Sequence, residues 1–508
     1  MARYAAIDIG SNSIRMQAAE TAPGSPTRIL ASAREVTRLG ESVFQTGRIG
    51  EEAMALASEV LSRMAAQYKA LDVVGVRAVA TSSARDARNQ AEFLARASEA
   101  IGSPVEAISG REEARLIHAG VESRWPHPRE RVLLIDIGGG SAEIIASENG
   151  RLVDAISKPL GAVRLRELFL ADDPPLAREL HQMEDYIHGR LEGAVRRLGA
   201  GHWDRAIATS GTASAVACAI NGVPRSKRDQ ADRLRATAAQ VRRLYAKLGQ
   251  LSLPERRKVR GIGPRRAEII VPGVCALARI LDEFHLPRLN YSAAGVRDGI
   301  IADLSARGIG RELAALSREQ RKELERVCLR YGVSLKHVRK VAAIASTLFH
   351  AFQPLHQLPP AWGKLLEAAA FLHDTGHYVN DQSHHKHSYY LVSNSDIYGF
   401  TRPELEFVAN LCRYHRKSMP SPDHANLRAL GNGERQALLL LIPLIRLADN
   451  LDRSREQHVE SVECQVRNGQ ATIRLIASGD VELEQWAAAR VADVFRQAYG
   501  SSLTVTRT

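Results

Sequence analysis

Asp8-Ile9-Gly10-Ser11-Asn12-Ser13 and Asp136-Ile137-Gly138-Gly139-Gly140-Ser141 present the same chemistry twice: an acid closing an apolar run, then a turn of glycine, serine or asparagine. Small residues let a backbone approach an anion, hydroxyls donate to it, and the aspartate can reach a divalent metal or a metal-bound water. Two such turns facing one another across a cleft could hold a phosphate chain between them. A third turn, Ser210-Gly211-Thr212, has the same character. One Asp-x-Gly alone is common in structural turns, whereas three turns of one composition have no structural reason to match. If Ala142 to Ala146 returns as the second strand of a hairpin, Asp136 and Glu143 point into one cleft, where hard oxygen ligands suit Mg²⁺.

Ser109-Gly110-Arg111-Glu112-Glu113 opens a helix-period run, with Ser109 and Glu112 at capping-box spacing. Capping gives Glu112 a structural role and leaves two readings of Glu113. It is a carboxylate stabilised by the helix dipole, or a general base that orients and deprotonates a water attacking phosphorus. Arg85 follows a strand signal and could grip paired phosphate oxygens through its planar fork, or be solvated at the surface.

A second constellation lies further along. His337 precedes a helical run, His373-Asp374 ends the apolar stretch Leu365 to Leu372, and Asp449 sits in Ile445 to Asn450, with His384, His385, His387 and His415 in between. Imidazoles and carboxylates recurring in this way suit a divalent transition metal, or hydrogen-bond within a helix bundle.

Positioning these groups requires alternating strands and helices. The pattern predicts a strand over Met1 to Ile9, a helix over Glu51 to Leu71, a strand over Val73 to Thr81, a helix over Gln90 to Ile101, a strand over Val105 to Ser109 and a helix over Arg111 to Ser123. Trp125-Pro126-His127-Pro128 breaks it. Arg131 to Ile137 then repeats the strand-and-glycine opening, with a helix over Leu180 to Leu198, so internal duplication is expected. From Glu312 to Leu451 the apolar positions recur at helical spacing, and the tail reads as a small α+β unit with a strand over Gln470 to Ile476 and a helix over Glu484 to Tyr499.

At 508 residues the chain is too long for one core. Lys and Arg outnumber Asp and Glu by 69 to 57, a formal charge of +12, as expected of a protein meeting a polyanion. Aromatic residues are 5% of the chain and no stacking platform is evident, so nucleic acid is not the expected partner. Five scattered cysteines without a CxxC pair point to reduced thiols, and no apolar run is long enough to span a bilayer. A cytoplasmic protein is expected.

The N-terminal six-tenths of the chain resembles the exopolyphosphatase/guanosine pentaphosphate phosphohydrolase family, of the actin/sugar-kinase/heat-shock-ATPase superfold. The match rests on Ala6 to Ser13, Arg38-Leu39-Gly40-Glu41, Ile108 to Ile117, Asp136 to Glu143, Ser210-Gly211-Thr212 and Val271-Pro272-Gly273. The resemblance implies an α/β chain of two ribonuclease-H-like (actin-like) domains facing a cleft, 1–126 and 127–308. An all-helical domain, 309–456, and a small α+β subdomain, 457–508, follow. It makes Glu113 the catalytic glutamate. Asp136 and Glu143, with Asp8, would hold Mg²⁺ (or Mn²⁺) or its waters. Phosphate would be bound by Gly10, Ser11, Asn12, Ser13, Gly138, Gly139, Gly140, Ser141, Ser210, Gly211 and Thr212, with Arg85. One turn departs from the family's pattern: Ala293 stands where the family usually carries an acid, and no role is assigned there.

The helical region resembles an HD phosphohydrolase domain, which makes His337, His373, Asp374 and Asp449 a candidate site for a second divalent metal. A homodimer is also implied. Expected substrates are inorganic polyphosphate, whose terminal phosphoanhydride would be hydrolysed, or guanosine pentaphosphate. The long helical extension and positive charge favour the polymer. An ATP-binding actin-like phosphotransferase and an actin-like assembly protein are the more distant alternatives.

Overall fold

Strand β1 (Ala2–Ile9) buries Tyr4, Ala5, Ala6, Ile7 and Ile9, on both of its faces, because it takes the middle of a five-stranded sheet. With β2 (Ile14–Thr21), β3 (Arg28–Glu35), β4 (Gly75–Ala80) and β5 (Val105–Ala107) it gives the order β3-β2-β1-β4-β5. The β1-β2-β3 meander is antiparallel, and β4 and β5 continue parallel to β1. The chain then builds the arrangement again. Strands β6 (Arg131–Ile137), β7 (Ala142–Glu148), β8 (Arg151–Lys158), β9 (Arg205–Thr209), β10 (Arg235–Thr237) and β11 (Arg288–Tyr291) form a sheet of order β10-β11-β9-β6-β7-β8. Here β6-β7-β8 repeat the meander, β9 and β11 repeat the parallel pair, and β10 is an added antiparallel edge. The duplication foreseen in the turns therefore extends to topology.

This computed structural model describes residues 2–22, 25–41, 43–199, 201–307, 316–467 and 469–507. It divides into two compact units, Met1–Ile309 and Gly310–Thr508. The expected boundary at 308/309 lies outside the described residues.

In the first unit, helix Glu51–Lys69 buries Met54, Ala57, Leu61, Met64 and Tyr68 at helical spacing. Helices Gly110–Arg124 and Val296–Arg307 pack together at glycines. A Cβ on Gly299 would stand 1.8 Å from the Leu116 carbonyl oxygen, and one on Gly120 would stand 2.2 Å from that of Gly295. The crossing is tied by buried charges: Glu112 accepts from Arg115 (2.8 Å) and Arg77 (3.0 Å), and Asp303 accepts from the same two arginines (3.0 and 3.1 Å). Only half of the expected capping box forms. Ser109 accepts from the Glu112 amide (3.1 Å), but the Glu112 carboxylate pairs with the arginines.

In the second unit, helices run from Arg318–Arg330 to Asn432–Asn450 before strands β12 (Val459–Arg467), β13 (Gln470–Ala477) and β14 (Ser502–Arg507) form a three-stranded sheet. The single helix expected over Glu484 to Tyr499 is two, Glu482–Ala489 and Ala492–Tyr499, broken at Arg490-Val491. The tail shares one hydrophobic core with the helices, with Phe495 packed edge-on against Phe352. Among the described residues no helix is long and apolar enough to cross a membrane.

Candidate active site

The two copies of the meander carry equivalent rows of side chains. In the first, Asp8 on β1 faces Arg15 on β2, which faces Arg34 on β3. In the second, Asp136 on β6 faces Glu143 on β7, which faces Ser157 on β8. One row is acid-base-base and the other acid-acid-hydroxyl. Both turns close alike: the Gly10 amide donates to Ser13 O (3.2 Å), and the Gly138 amide to Ser141 O (3.0 Å). They also meet. A Cβ on Gly139 would lie 2.9 Å from Ser11 Cβ, and one on Gly140 would lie 2.4 Å from Ser82 Oγ. Glycine is required there because the opposite wall occupies the space a side chain needs.

Between the walls lies a cavity of about 190 Å³. Asp8, Gly10, Ser11, Asn12, Ser13, Glu113, Asp136, Gly138, Gly139, Gly140, Ser141, Ser210 and Gly211 line it. Three residues expected at the site stand behind the wall. Thr212 is fully buried and donates to Ile137 O (3.3 Å). Arg85 donates to Glu113 Oε2 (2.9 Å) and to Ile108 O (2.8 Å), so its fork is turned onto the glutamate. Glu143 accepts from Ser157 Oγ at Oε1 (2.7 Å), and its Oε2 is buried without a hydrogen-bond partner among the described residues. The third turn is a helix start: Ser210–Ile220 begins without a side-chain cap, Ser210 adopts φ +77°, and its Oγ donates to Ile137 O (2.9 Å). An uncapped helix N-terminus opening on a cavity offers amides to an anion.

Four carboxyl groups converge here, and burial is the first cause of every shift. It pushes Asp136 up to about 7, with the charges of Glu113 and Asp8 adding to it. It raises Glu143 well above its ordinary value, reinforced by Glu113 and Asp136. Glu113 is raised against the opposing pull of Arg85, and Asp8 against that of Arg15, Arg297 and Arg34. Crowded buried acids with one orphaned oxygen, Glu143 Oε2, fit a hard divalent cation at Asp136 and Glu143.

The arginines of the cavity were not identified from sequence. Arg15, Arg34, Arg228, Arg266 and Arg297 all line it. A second cavity, about 220 Å³, shares Arg34, Arg228 and Arg266 with the first and adds Arg225 and Arg265. Arg34 is pushed down to about 8 by burial and by Arg15, Arg266, Arg228 and Arg225, and its Nε has no hydrogen-bond partner among the described residues. Arg266 is lowered to about 10 by burial and Arg15. A guanidinium does not give up its proton at these pH values, so the depression expresses a repulsion that a bound anion relieves. Gly211 admits Arg266, since a Cβ there would stand 2.0 Å from Arg266 Nη2. The signal available in the sequence was period-two placement: Arg15 and Arg34 fall on the same strand faces as Asp8.

In the second unit, His337, His373 and Asp374 form one tight group of metal-ligand type, and Asp374, His377 and His384 another. Asp449 Oδ1 lies 3.6 Å from His337 Nε2 and 3.4 Å from His373 Nε2. Both of these imidazole nitrogens are buried without hydrogen-bond partners among the described residues. His118, Glu122 and His127 form a third tight group, in the first unit, but Ser147 Oγ bridges its two imidazoles at 3.0 and 2.9 Å.

A duplicated sheet of this topology, with glycine turns opposed at the strand ends, defines the actin-like class of phosphate-handling α/β folds. The chain belongs to the Ppx/GppA phosphatase family: the family's sequence profile matches residues 18–307, and that of Ppx/GppA phosphatase domain III matches 318–486. It is similar to the Ppx/GppA enzyme of Aquifex aeolicus, with 28% identity over 60% of this chain and 99% of that one and a TM-score of 0.51. An exopolyphosphatase from Cytophaga hutchinsonii is 25% identical over 59% of this chain and 96% of its own, with a TM-score of 0.55. An exopolyphosphatase-like protein is 26% identical over 59% and 97%, with a TM-score of 0.56.

Proposed function

We propose that the cleft hydrolyses the terminal phosphoanhydride of inorganic polyphosphate and releases orthophosphate. The arginine track favours the polymer. It continues from the carboxylates into the second cavity, and each added phosphate of a long chain gains another cation. The one aromatic side chain on the two cavity walls, among the described residues, is Tyr291.

In this reading the amides and hydroxyls of the turns at 10–13 and 138–141, with the uncapped helix start at 210–211, hold the terminal phosphoryl group. Glu113, kept in place by Arg85, accepts a proton from the attacking water. Its raised affinity for a proton suits a base working near neutral pH. The water oxygen bonds to the terminal phosphorus as the bridging P–O bond breaks, and the electron pair leaves with the shortened chain. Asp136 and Glu143, with Asp8, would hold a divalent ion, Mg²⁺ or Mn²⁺, which would supply positive charge to the phosphoryl oxygens. In the helical unit, His337, His373, Asp374 and Asp449 are assigned to a second divalent ion of HD type.

Phosphate release from long polyphosphate, short polyphosphate and guanosine pentaphosphate at one ionic strength tests the substrate. Wild-type enzyme is expected to favour the long polymer, and Arg34→Gln to raise KM for it roughly tenfold, with a smaller effect on the nucleotide. Preference of the wild type for guanosine pentaphosphate would contradict the polymer reading.

A further inference from the structure

A third cavity, about 670 Å³, meets the first at the glycine turns, where Ser82 and Ser141 line both. It has no residue in common with the second cavity, and none of the track arginines reaches it. Its own cations are Arg85, Arg88, Lys158 and Arg164, set against one acid, Asp86, among the described residues. We propose that orthophosphate freed in the first cavity leaves through the third, binding Arg88 and Arg164 on its way out, while the shortened polymer stays in the arginine track. The exit rests on the polyphosphatase reading above.

The place of the product requires a second way out. In that reading the polymer enters along the arginines of the first and second cavities, and its end lies against the turns. Hydrolysis then frees orthophosphate beyond the new chain end, with the polymer between it and the entrance. Every phosphate in the track has its own cation contacts, so clearing the track would break many of them to release one small anion. The third cavity lies on the product's side of the chain end, since it shares the serines of the walls but no arginine of the track.

The partition between the two cavities is thin, and one side chain pins it. A Cβ on Gly140 would stand 2.4 Å from Ser82 Oγ and 2.7 Å from Phe44 Cζ. Arg164, 3.9 Å above the Phe44 ring, donates to Gly140 O (2.7 Å) and to Ser82 Oγ (3.1 Å), and it pairs with Asp86. It therefore ties one wall to the other. Orthophosphate carries at least the charge of the Asp86 carboxylate and offers more acceptor oxygens, so it can take the place of Asp86 on the planar fork. A fork turned onto the anion releases Ser82, and the partition loosens. Arg85 reaches across as well: it lines the third cavity and donates to Glu113, which lines the first. Arg88 is exposed and, among the described residues, forms no ion pair, so it is free to receive the anion.

Initial rates of radiolabelled orthophosphate release from labelled long-chain polyphosphate, with Mg²⁺ and added unlabelled orthophosphate, test the exit. Wild type is expected to show a lowered kcat without a raised KM, because the added anion binds while polymer fills the track. Arg88→Gln should raise the inhibition constant of orthophosphate roughly tenfold, and Asp86→Asn should lower it by freeing Arg164, each at unchanged KM for the polymer. Opposite shifts at two exposed neighbours separate anion binding from damage to the fold, which would move both the same way. Competitive inhibition, or none, would overturn the exit, since orthophosphate would then bind only where the polymer ends or not at all. An inhibition constant indifferent to both substitutions would overturn the third cavity as the site. A raised KM for the polymer in Arg88→Gln would make that cavity an entrance instead. These outcomes leave the hydrolysis of polyphosphate standing. No release by the wild type before any orthophosphate is added would contradict that hydrolysis, and the exit with it.

Discussion

Asp8 and Asp136 occupy the same place in two copies of one strand, and their cross-strand neighbours give them different chemistry. Asp8 is followed across the sheet by Arg15 and Arg34, whereas Asp136 is followed by Glu143 and Ser157. The first row balances its acid with cations, and the second accumulates negative charge that a metal can neutralise. The pH consequence has a definite sign. Asp136, Glu113 and Glu143 all hold protons more tightly in the folded chain than unfolded, so the folded state binds more protons, for Asp136 up to about pH 7. The Asp136 contribution to the stability of metal-free protein is complete below its unfolded value and is lost as pH rises through about 7, and those of Glu113 and Glu143 fall in the same direction. Mg²⁺ or Mn²⁺ should therefore raise Tm more at about pH 8 than at about pH 5.5, and Asp136→Asn should flatten the difference. A metal-induced Tm shift equal at both pH values would contradict the proposed ion position. Asp8 and Asp136 were legible in sequence because each opens a turn of unusual composition, whereas Glu113, in the first turn of a helix, took its role only from the family resemblance. The arginines were not, because Arg15 and Arg34 sit in strands with no motif of their own and acquire meaning only from register.

The Gly110–Arg124 helix carries Glu113 in its first turn, and its position depends on how closely Val296–Arg307 can approach. Backbone meets backbone at Gly120 and Gly299, and the ion-pair network of Arg77, Glu112, Arg115 and Asp303 holds the crossing beside it. Buried networks of this kind lose more when one member is removed than they add as a whole. Gly299→Ala should cost about 1–3 kcal/mol or more, because the new methyl points at the Leu116 carbonyl rather than at a side chain that can turn away. Urea denaturation measures this, and an unchanged midpoint would show that the crossing has slack. Long periodic helices such as Glu51–Lys69 could be read from sequence. Strands β2 and β3 could not, since Ala18, Ala19, Ala31 and Ala33 blur the alternation that marks a half-buried strand. The break at Arg490-Val491 was hidden for another reason: neither residue is a helix breaker.

Across the whole molecule, duplication followed by divergence gives a division of labour. One copy of the sheet supplies cations, the other supplies acids, and the glycine turns let the two walls touch where a phosphoryl group would end. The repeated turn announced this architecture in the sequence. The shared core of helices and tail in the second unit left no such mark, because apolar residues of a common core look alike whichever side of a linker they come from. The decisive measurement is orthophosphate release from long-chain polyphosphate in the presence of Mg²⁺ by wild-type protein and by Glu113→Gln. Wild type should release phosphate, and Glu113→Gln should turn over roughly a hundredfold or more slowly at little-changed KM. Equal rates in the two proteins would contradict the assignment of Glu113, and no release by the wild type would contradict the polyphosphatase itself.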